Sequence, residues 1–295
     1  MIALALLLSC LCAAAPDNPA AVRKAIQADR DHDAAWLKSD PQSYLASVAR
    51  VDFGDKTTLT VGASGDNDVR LPGLLSHHLE VTADAEGFRV EALDAGATFT
   101  VDTSTRAVRE AALGPASLGV GRFRLRLSHQ GFPAIIVFDP RSPRFKEYHG
   151  MRYFPIDLSY RFVARLIPDP KAQTMTIQST HSAARKAERV GWFELTIRGQ
   201  RVRLAATRLL EPGAGPDELG ILFRDATTGH ESYPVGRYVD PEKRPDGSYV
   251  IDFNEAFNPA CAFSDFYNCP IPPKENYLTV AIRAGAKDPL YHRKK

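Results

Sequence analysis

The sequence predicts a mostly β protein: two antiparallel β-sandwich or β-barrel domains preceded by an N-terminal helix. Of its 295 residues, 44% are hydrophobic, enough to form full cores. From residue 51 onward, short apolar or alternating stretches are separated by Gly, Asp and Pro turns, a pattern typical of strands. Residues 139–143 include two prolines and form a short joint, which indicates a boundary between two such domains.

Residues 1–15 resemble a secretory signal segment. They are apolar and end in three alanines, although they lack a basic residue at the start. Cys10 after Leu-Leu-Ser also resembles the lipidated cysteine of a lipoprotein signal. We therefore expect an exported protein that is periplasmic, envelope-anchored through Cys10 or secreted, and a cytoplasmic one if the leader does not function. The segment is too short for a confident membrane span.

Residues 18–50 are predicted to be helical. Asn18 is a good N-cap and Pro19 suits the first helical turn, so a surface helix is expected over residues 20–38. A second short helix is expected from residue 39 to residue 50.

The region 51–140 is expected to form a β-sandwich, because its short strands have no helices between them. The predicted strands are 58–61, 79–82, 88–93, 98–102, 122–127 and 134–138.

Three motifs in this region resemble those of forkhead-associated domains. They are Val61-Gly62-Ala63-Ser64, Asn67-Asp68-Val69-Arg70-Leu71 and Ser76-His77-His78. The resemblance implies a sandwich fold. Ala63, however, occupies the position of the arginine that holds phosphothreonine in that family. Without the bidentate guanidinium contact, the resemblance does not imply phosphopeptide binding.

Residues 150–287 are predicted to form a second antiparallel β domain, either a sandwich or a barrel. The segments 198–200 and 245–247 are expected to be hairpin turns. The predicted strands are 162–167, 173–178, 192–197, 201–206, 219–224, 233–239, 249–253 and 277–282.

Motifs of the C-terminal half resemble an uncharacterised bacterial family, the "domain of unknown function 1684" proteins. The resemblance extends over roughly residues 20–287 and implies no known activity. The motifs, in chain order, are Arg152-Tyr153-Phe154-Pro155, Thr227-Thr228-Gly229, Gly236-Arg237-Tyr238, Asp252-Phe253-Asn254, Asn258-Pro259-Ala260-Cys261-Ala262-Phe263 and the run 269–276.

The long loop 252–276 is the predicted functional region, because irregular loops on a rigid sheet commonly bind or react. It contains Cys261 and Cys269, the two cysteines that remain if the leader is removed. In an exported protein such a pair predicts one disulfide, which would contribute roughly 2.5 kcal/mol. Two reduced thiols, or metal or catalytic use, are the alternatives. The spacing of the cysteines is too long for a zinc knuckle, so no metal site is predicted.

Polar side chains at the ends of this loop suggest a site for a small molecule or a protein partner. Asp252 and Glu275 are candidate acid and base for an alternative hydrolase function. The opposing interpretation is that these side chains cap the loop backbone. The candidate ligand-binding residues are Arg152, Tyr153, Arg161, Arg237, Tyr238, Asn254, Asn258 and Asn276.

Charge and motifs argue against some other functions. The chain has 37 basic and 35 acidic residues, so its overall field does not favour nucleic acid. No Gly-rich loop follows a strand and opens a helix, so no nucleotide cofactor is expected. The sequence leaves the oligomeric state open.

Overall fold

The structure is a computed structural model that describes residues 18–181, 184–215 and 218–289. The predicted signal segment, residues 1–15, and the proposed lipidation site Cys10 lie outside the described residues. Export and membrane anchoring therefore stay predictions.

The N-terminal helix α1 spans Pro19–Ser39. The side chain of Asn18 accepts a hydrogen bond of 3.0 Å from the backbone N–H two residues on, which confirms the predicted cap. One thin stripe is buried, formed by Ile26, Arg30 and Leu37, while the rest of the helix is mostly exposed. The predicted surface helix is therefore confirmed.

The second predicted helix is wrong over most of its length. Only Tyr44–Ala46 form a short 3-10 helix, and strand β1 begins directly after it at Ser47–Asp52. Strand β1 pairs antiparallel with residues 134–138. Its two valines favour extended backbone, and the neighbouring strand supplies hydrogen-bond partners that a lone helix would lack.

Two five-stranded sheets form a sandwich in the N-terminal half, defined here as residues 18–145. One has the order β1-β10-β9-β8-β6 and the other β3-β2-β4-β5-β7. After β1 the strands are β2 Thr58–Gly62, β3 Val69–Arg70, β4 Leu79–Ala83, β5 Phe88–Ala92, β6 Thr100–Val101, β7 Glu110–Leu113, β8 Ser117–Val120, β9 Phe123–His129 and β10 Pro133–Phe138.

The core of this sandwich is a single cluster of buried side chains from both sheets. Val61 and Val81 come from one sheet, and Leu125 and Val137 from the other; all four are fully buried. The alternation that predicted the strands is thus the alternation between core and solvent. Gly62, within the first forkhead-associated-like motif, allows a close backbone approach, because a Cβ there would lie 2.2 Å from the Ser76 carbonyl oxygen.

Sheets with fewer strands make up the C-terminal half, residues 146–289. The short helix α2, Arg144–Glu147, joins the two halves. Three sheets have the orders β12-β13-β14, β11-β18-β17 and β15-β16. The strands are β11 Arg161–Ala164, β12 Ile167–Ile177, β13 Arg185–Ile197, β14 Gln200–Leu209, β15 Ile221–Phe223, β16 Arg237–Val239, β17 Glu242–Lys243 and β18 Tyr249–Asp252.

These sheets enclose a second buried cluster that includes Phe193, Phe223, Ile251 and Phe253. Strands β13 and β14 meet at Arg198 and Gly199, both with positive φ, as expected for the predicted hairpin turn. The architecture confirms the mostly β fold class with sandwich-like packing of antiparallel sheets.

The predicted strand 277–282 is wrong. This segment makes only scattered backbone hydrogen bonds with residues 224–226, including Leu278 N–H to the Arg224 carbonyl at 2.8 Å. Its apolar residues Val280 and Ile282 pack into the core without forming a ladder. The apolar pattern therefore predicted correctly that these residues are buried, but it predicted incorrectly that they pair as a strand.

The two halves contact each other through a polar and apolar seam. Arg144 donates to the Ser47 carbonyl at 2.6 Å and to the Ser264 hydroxyl at 3.0 Å. A third buried cluster joins Ile136 and Phe138 of β10 to the loop residues Cys261, Tyr267 and Cys269. The predicted domain limits 51–140 and 150–287 stay predictions.

Candidate functional site

The loop 252–276 is densely packed. It contains three short 3-10 helices, Phe253–Glu255, Ala260–Ala262 and Lys274–Asn276, and most of its side chains are buried. The position of each predicted site residue therefore decides between a binding role and a structural one.

Asp252 has a structural role. Its carboxylate is buried, forms a 3.0 Å ion pair with Arg161 and accepts the backbone N–H of Asn254 at 2.9 Å. Its charge also contributes, after desolvation, to raising the pKa of Glu255 to about 7. With a side chain that is 0% exposed and oxygens bonded to Arg161 and Asn254, the carboxylate is not open to a substrate.

Glu275 lies in different surroundings. It is exposed, and its nearest cation is Arg189 at 3.5 Å. The structure thus gives Asp252 and Glu275 separate arginine partners. The convergence of both acids on one arginine, expected of the hydrolase alternative, is not seen in the described residues.

The asparagines of the loop bind backbone groups. Asn254 accepts the Asp157 N–H at 2.9 Å and donates to the Asp157 carbonyl at 3.0 Å. Asn276 accepts the Ala205 N–H at 2.7 Å and donates to the Ala205 and Leu222 carbonyls at 3.0 and 2.8 Å. Both are fully buried, so neither amide is available to a ligand.

Asn258 is the exception among these amides. Its nitrogen donates to the Lys287 carbonyl at 2.8 Å, and its oxygen is buried without a hydrogen-bond partner among the described residues.

Arg237 is the most buried charged group of the C-terminal half. It is 0% exposed and lies between the rings of Phe154 and Phe223. Its guanidinium donates to the carbonyls of residues 282, 284 and 286 and pairs with Asp225 at 3.3 Å. Burial lowers the pKa of Arg237, and Asp225 opposes that effect. Its predicted ligand-binding role is therefore replaced by a structural one.

The remaining arginine and tyrosine candidates are dispersed. Arg152 is exposed, and its carbonyl accepts the Lys287 N–H at 2.8 Å. The Tyr153 ring lies under Arg30 at 4.5 Å. Tyr238 donates its hydroxyl to the Pro270 carbonyl, and burial raises its pKa well above the usual value. Of these three residues, only Tyr238 lines the cavity described below.

Cys261 and Cys269 are both free and buried, so the predicted disulfide is not formed in this structure. The pair is nevertheless adjacent, because the Cys261 N–H donates to Cys269 Sγ at 3.3 Å. The hydrogen bond between the two thiols lowers the pKa of Cys261 and raises that of Cys269. Two neighbouring buried thiols correspond to the second alternative left open by the sequence.

A cavity of about 560 Å³, called here the junction pocket, opens between the two halves. The N-terminal half contributes Tyr44 and Gln130, and the loop contributes Phe257, Tyr267 and Cys269. A smaller cavity of about 390 Å³ adjoins it and shares Gln130. A cavity of this size, lined by aromatic and aliphatic groups with a few polar ones, has the features of a small-molecule site.

Two buried polar atoms of the junction pocket have no hydrogen-bond partner among the described residues. They are the Tyr267 hydroxyl and the Gln130 side-chain oxygen. Tyr267 is only 3% exposed, and burial raises its pKa. Leaving such atoms unpaired costs about 1–3 kcal/mol each, so an unpaired pair at one cavity calls for a ligand or bridging water.

Ionisable groups of the pocket wall have very different surroundings. Arg185 is buried and paired through two nitrogens with Glu211, and it donates to the Asn268 carbonyl at 3.0 Å. Asp240 is open to the pocket's solvent, yet surrounding protein, and secondarily Glu218, raises its pKa to about 6. A carboxyl with a raised pKa in a cavity is a functional candidate.

Sequence reasoning missed Asp240, Glu218, Tyr267 and Gln130. Tyr267 was inside the predicted functional loop, but a phenol in an apolar run resembles a core residue. The other three are far apart in sequence and meet only through the fold.

The described residues offer neither a metal site nor a membrane-spanning helix. No group of three or more His, Cys, Asp or Glu side chains there is suited to hold a metal ion. Among the helices that the structure describes, none has the length and apolar composition needed to cross a membrane.

Comparison with known proteins gives a likeness to one family over part of the chain and no activity. No curated protein matches the chain significantly. One similar solved structure is the solution NMR structure of an uncharacterised protein from Haloarcula marismortui. It is 30% identical, the match covers 52% of this chain and 85% of that one, and the TM-score is 0.41. Residues 146–287 match the family described as "Protein of unknown function (DUF1684)". Over this segment, somewhat less than half of its length, the chain is similar to that family.

Proposed function

We propose that the protein binds a small molecule in the junction pocket. The observation that supports this most strongly is the pair of buried, unpartnered polar atoms on Tyr267 and Gln130 at one cavity. Elsewhere in the loop, amides such as Asn254 and Asn276 are fully hydrogen-bonded. Other unpartnered buried atoms, such as Asn258 Oδ1 and Arg237 Nε, lie outside the lining of this cavity, whereas these two share one cavity, which favours a ligand site there.

The rest of the loop then has a supporting role. The thiol pair and the Thr180 side chain hold its backbone, since the Cys269 N–H donates to the Thr180 hydroxyl at 3.0 Å. This rigid support keeps Tyr267 and Phe257 in place without a ligand, which lowers the entropic cost of binding.

The N-terminal sandwich is part of this proposal as a forkhead-associated-like scaffold that does not read phosphothreonine. Ala63 brings no guanidinium, and Asn67 is occupied by the Ser64 and Ser76 carbonyls at 2.9 and 2.8 Å. Its contribution to the site is the pair of wall residues Tyr44 and Gln130.

A neutral apolar dye, Nile red, tests the proposal. Its fluorescence is expected to rise saturably with one site per chain, because the pocket wall excludes much of the solvent. Gly220→Leu is designed to fill the pocket: a Cβ there meets only ordinary contacts, with Asp240 at 3.7 Å and Leu222 at 3.8 Å. Leu219→Trp is a second filling variant from the same wall.

Gly65→Leu is the matched control, since it makes the same change where a Cβ has open space around it. Both pocket variants should lose the saturable signal while their thermal melts stay cooperative, and the control should keep it. Equal dye binding by all four proteins would refute the proposed site.

A further inference from the structure

Arg185, the arginine that lines the junction pocket, is already neutralised, while Arg126 of the adjoining cavity acts on Tyr44 and Tyr267. Arg185 uses Nε and Nη2 on the Glu211 carboxylate and Nη1 on the Asn268 carbonyl. Three of its five N–H donors are thereby used, Glu211 balances its charge and its side chain is only 4% exposed, so little of the guanidinium is open to an anionic ligand. Arg185 therefore does not make the pocket a carboxylate or phosphate site.

The negative charge in the same wall is not neutralised. Asp240 and Glu218 both line the pocket and are both solvent-accessible, so they lie at its open side. Neither carboxylate has an ion-pair partner within the described part of the chain, and the charged group that acts on Asp240 is Glu218, of like sign. Two like charges held together in this way attract a cation.

The interior side of the pocket is aromatic. The Tyr44 and Tyr267 rings form one edge-on pair, with centroids 5.1 Å apart. The Tyr238 and Phe257 rings form another at 5.7 Å. Aromatic faces favour cations as well as apolar groups, and the unpartnered Tyr267 hydroxyl can accept or donate one hydrogen bond.

We propose that the ligand of the junction pocket is an organic ammonium ion with an apolar or aromatic body, an inference that rests on the proposed function. Its ammonium group binds Asp240 and Glu218 at the open side. Its body packs between the two aromatic pairs, within reach of Tyr267. The arrangement combines acidic groups, aromatic walls and an already neutralised arginine in one cavity.

Three probes that share a fluorophenylethyl body and differ in charge test this class. They are 2-(4-fluorophenyl)ethylamine, the corresponding neutral alcohol, and 3-(4-fluorophenyl)propionate, each titrated by fluorine NMR. The amine is expected to bind roughly tenfold or more tightly than the alcohol, because it adds a charge-assisted contact. The propionate is expected to bind most weakly.

Asp240→Asn and Glu218→Gln keep the shape of the pocket wall and remove its charge. Each should reduce the preference for the amine over the alcohol, and the double variant should abolish it. In the wild type, amine affinity should increase as pH rises through about 6, where Asp240 ionises, while alcohol affinity stays constant.

The outcomes separate the two proposals. If the three probes bind equally and all are lost in Gly220→Leu, the pocket stands and the ammonium inference fails. If no probe binds, or binding survives both pocket-filling variants, the proposed function fails together with the inference. Preference for the amine that survives the charge-removing double variant overturns the assignment to Asp240 and Glu218.

Discussion

Two sets of polar groups, one around Arg237 and one at the junction pocket, differ in how many of their hydrogen-bonding atoms have partners. Around Arg237, the two terminal guanidinium nitrogens make five contacts with acceptors and Nε has no partner among the described residues; Asp225 in turn accepts the Ile282 N–H at 2.6 Å. In the junction pocket, Tyr267 and Gln130 have unpartnered atoms and Asp240 faces a like charge. The first arrangement stabilises the fold, whereas the second leaves binding capacity unused. Residue type alone does not distinguish them.

The largest expected effect is that of removing the Arg237 charge. Arg237→Met leaves Asp225 and several carbonyls buried without their partner, so the free energy of unfolding should fall by about 3–5 kcal/mol. Urea unfolding followed by circular dichroism measures this change. Arg283→Met removes an exposed ion pair with Glu231 and should cost less than about 1 kcal/mol. Similar losses for both variants would contradict the structural role of Arg237.

The next effect tests whether the loop amides stabilise the fold. Asn276→Ala removes the partner of one N–H and two carbonyls, all buried, and should lower the free energy of unfolding by about 3 kcal/mol. Chemical denaturation provides the value. If Asn276→Ala reduced probe binding without a loss of stability, the amide would belong to the site after all.

A pair of tyrosine variants makes the comparison sharper, because each deletes a single hydroxyl. The Tyr160 hydroxyl donates to the Ala281 carbonyl and accepts from Arg198 Nε, both at 3.2 Å, so Tyr160→Phe should cost about 1 kcal/mol. The Tyr267 hydroxyl has no partner in the described residues, so Tyr267→Phe should be neutral or slightly stabilising. Thermal melts of both variants measure these changes. A larger loss of stability in Tyr267→Phe than in Tyr160→Phe would show that the Tyr267 hydroxyl does have a hydrogen-bond partner.

The smallest expected effect is a gain in stability. Asp240 has a pKa of about 6 in the folded protein, against 3.8 for an unperturbed aspartate, so the folded state holds the proton more tightly. Ionisation therefore costs stability increasingly from pH 3.8 to pH 6, and the full cost applies above pH 6. Asp240→Asn should be more stable than wild type above pH 6, by up to about 1 kcal/mol because solvent screens the group. Denaturation at several pH values would show this, and a constant difference down to pH 3.5 would contradict it.

The sequence predicted the fold class and many strands because core-facing residues alternate regularly in both halves. Residues 47–50 were misassigned because their strand depends on pairing with residues distant in sequence, and residues 277–282 because apolar character reports burial rather than a ladder. Within the loop, the residue types predicted that polar side chains matter. They did not show which of those side chains stabilise the fold and which line a binding site. Asn276 and Tyr267 are both buried, and only their three-dimensional neighbours separate a fully bonded amide from an unpartnered hydroxyl.

The junction pocket draws Tyr44 and Gln130 from outside residues 146–287, the segment that defines the family match. In this chain that segment supplies Asp240, Glu218 and the Tyr238–Phe257 pair, but on its own it lacks one side of the enclosure. Proteins that share this segment but carry different N-terminal modules can therefore differ in the ligands they prefer. Swapping the N-terminal module between two members would then transfer selectivity without altering a single residue of the common part.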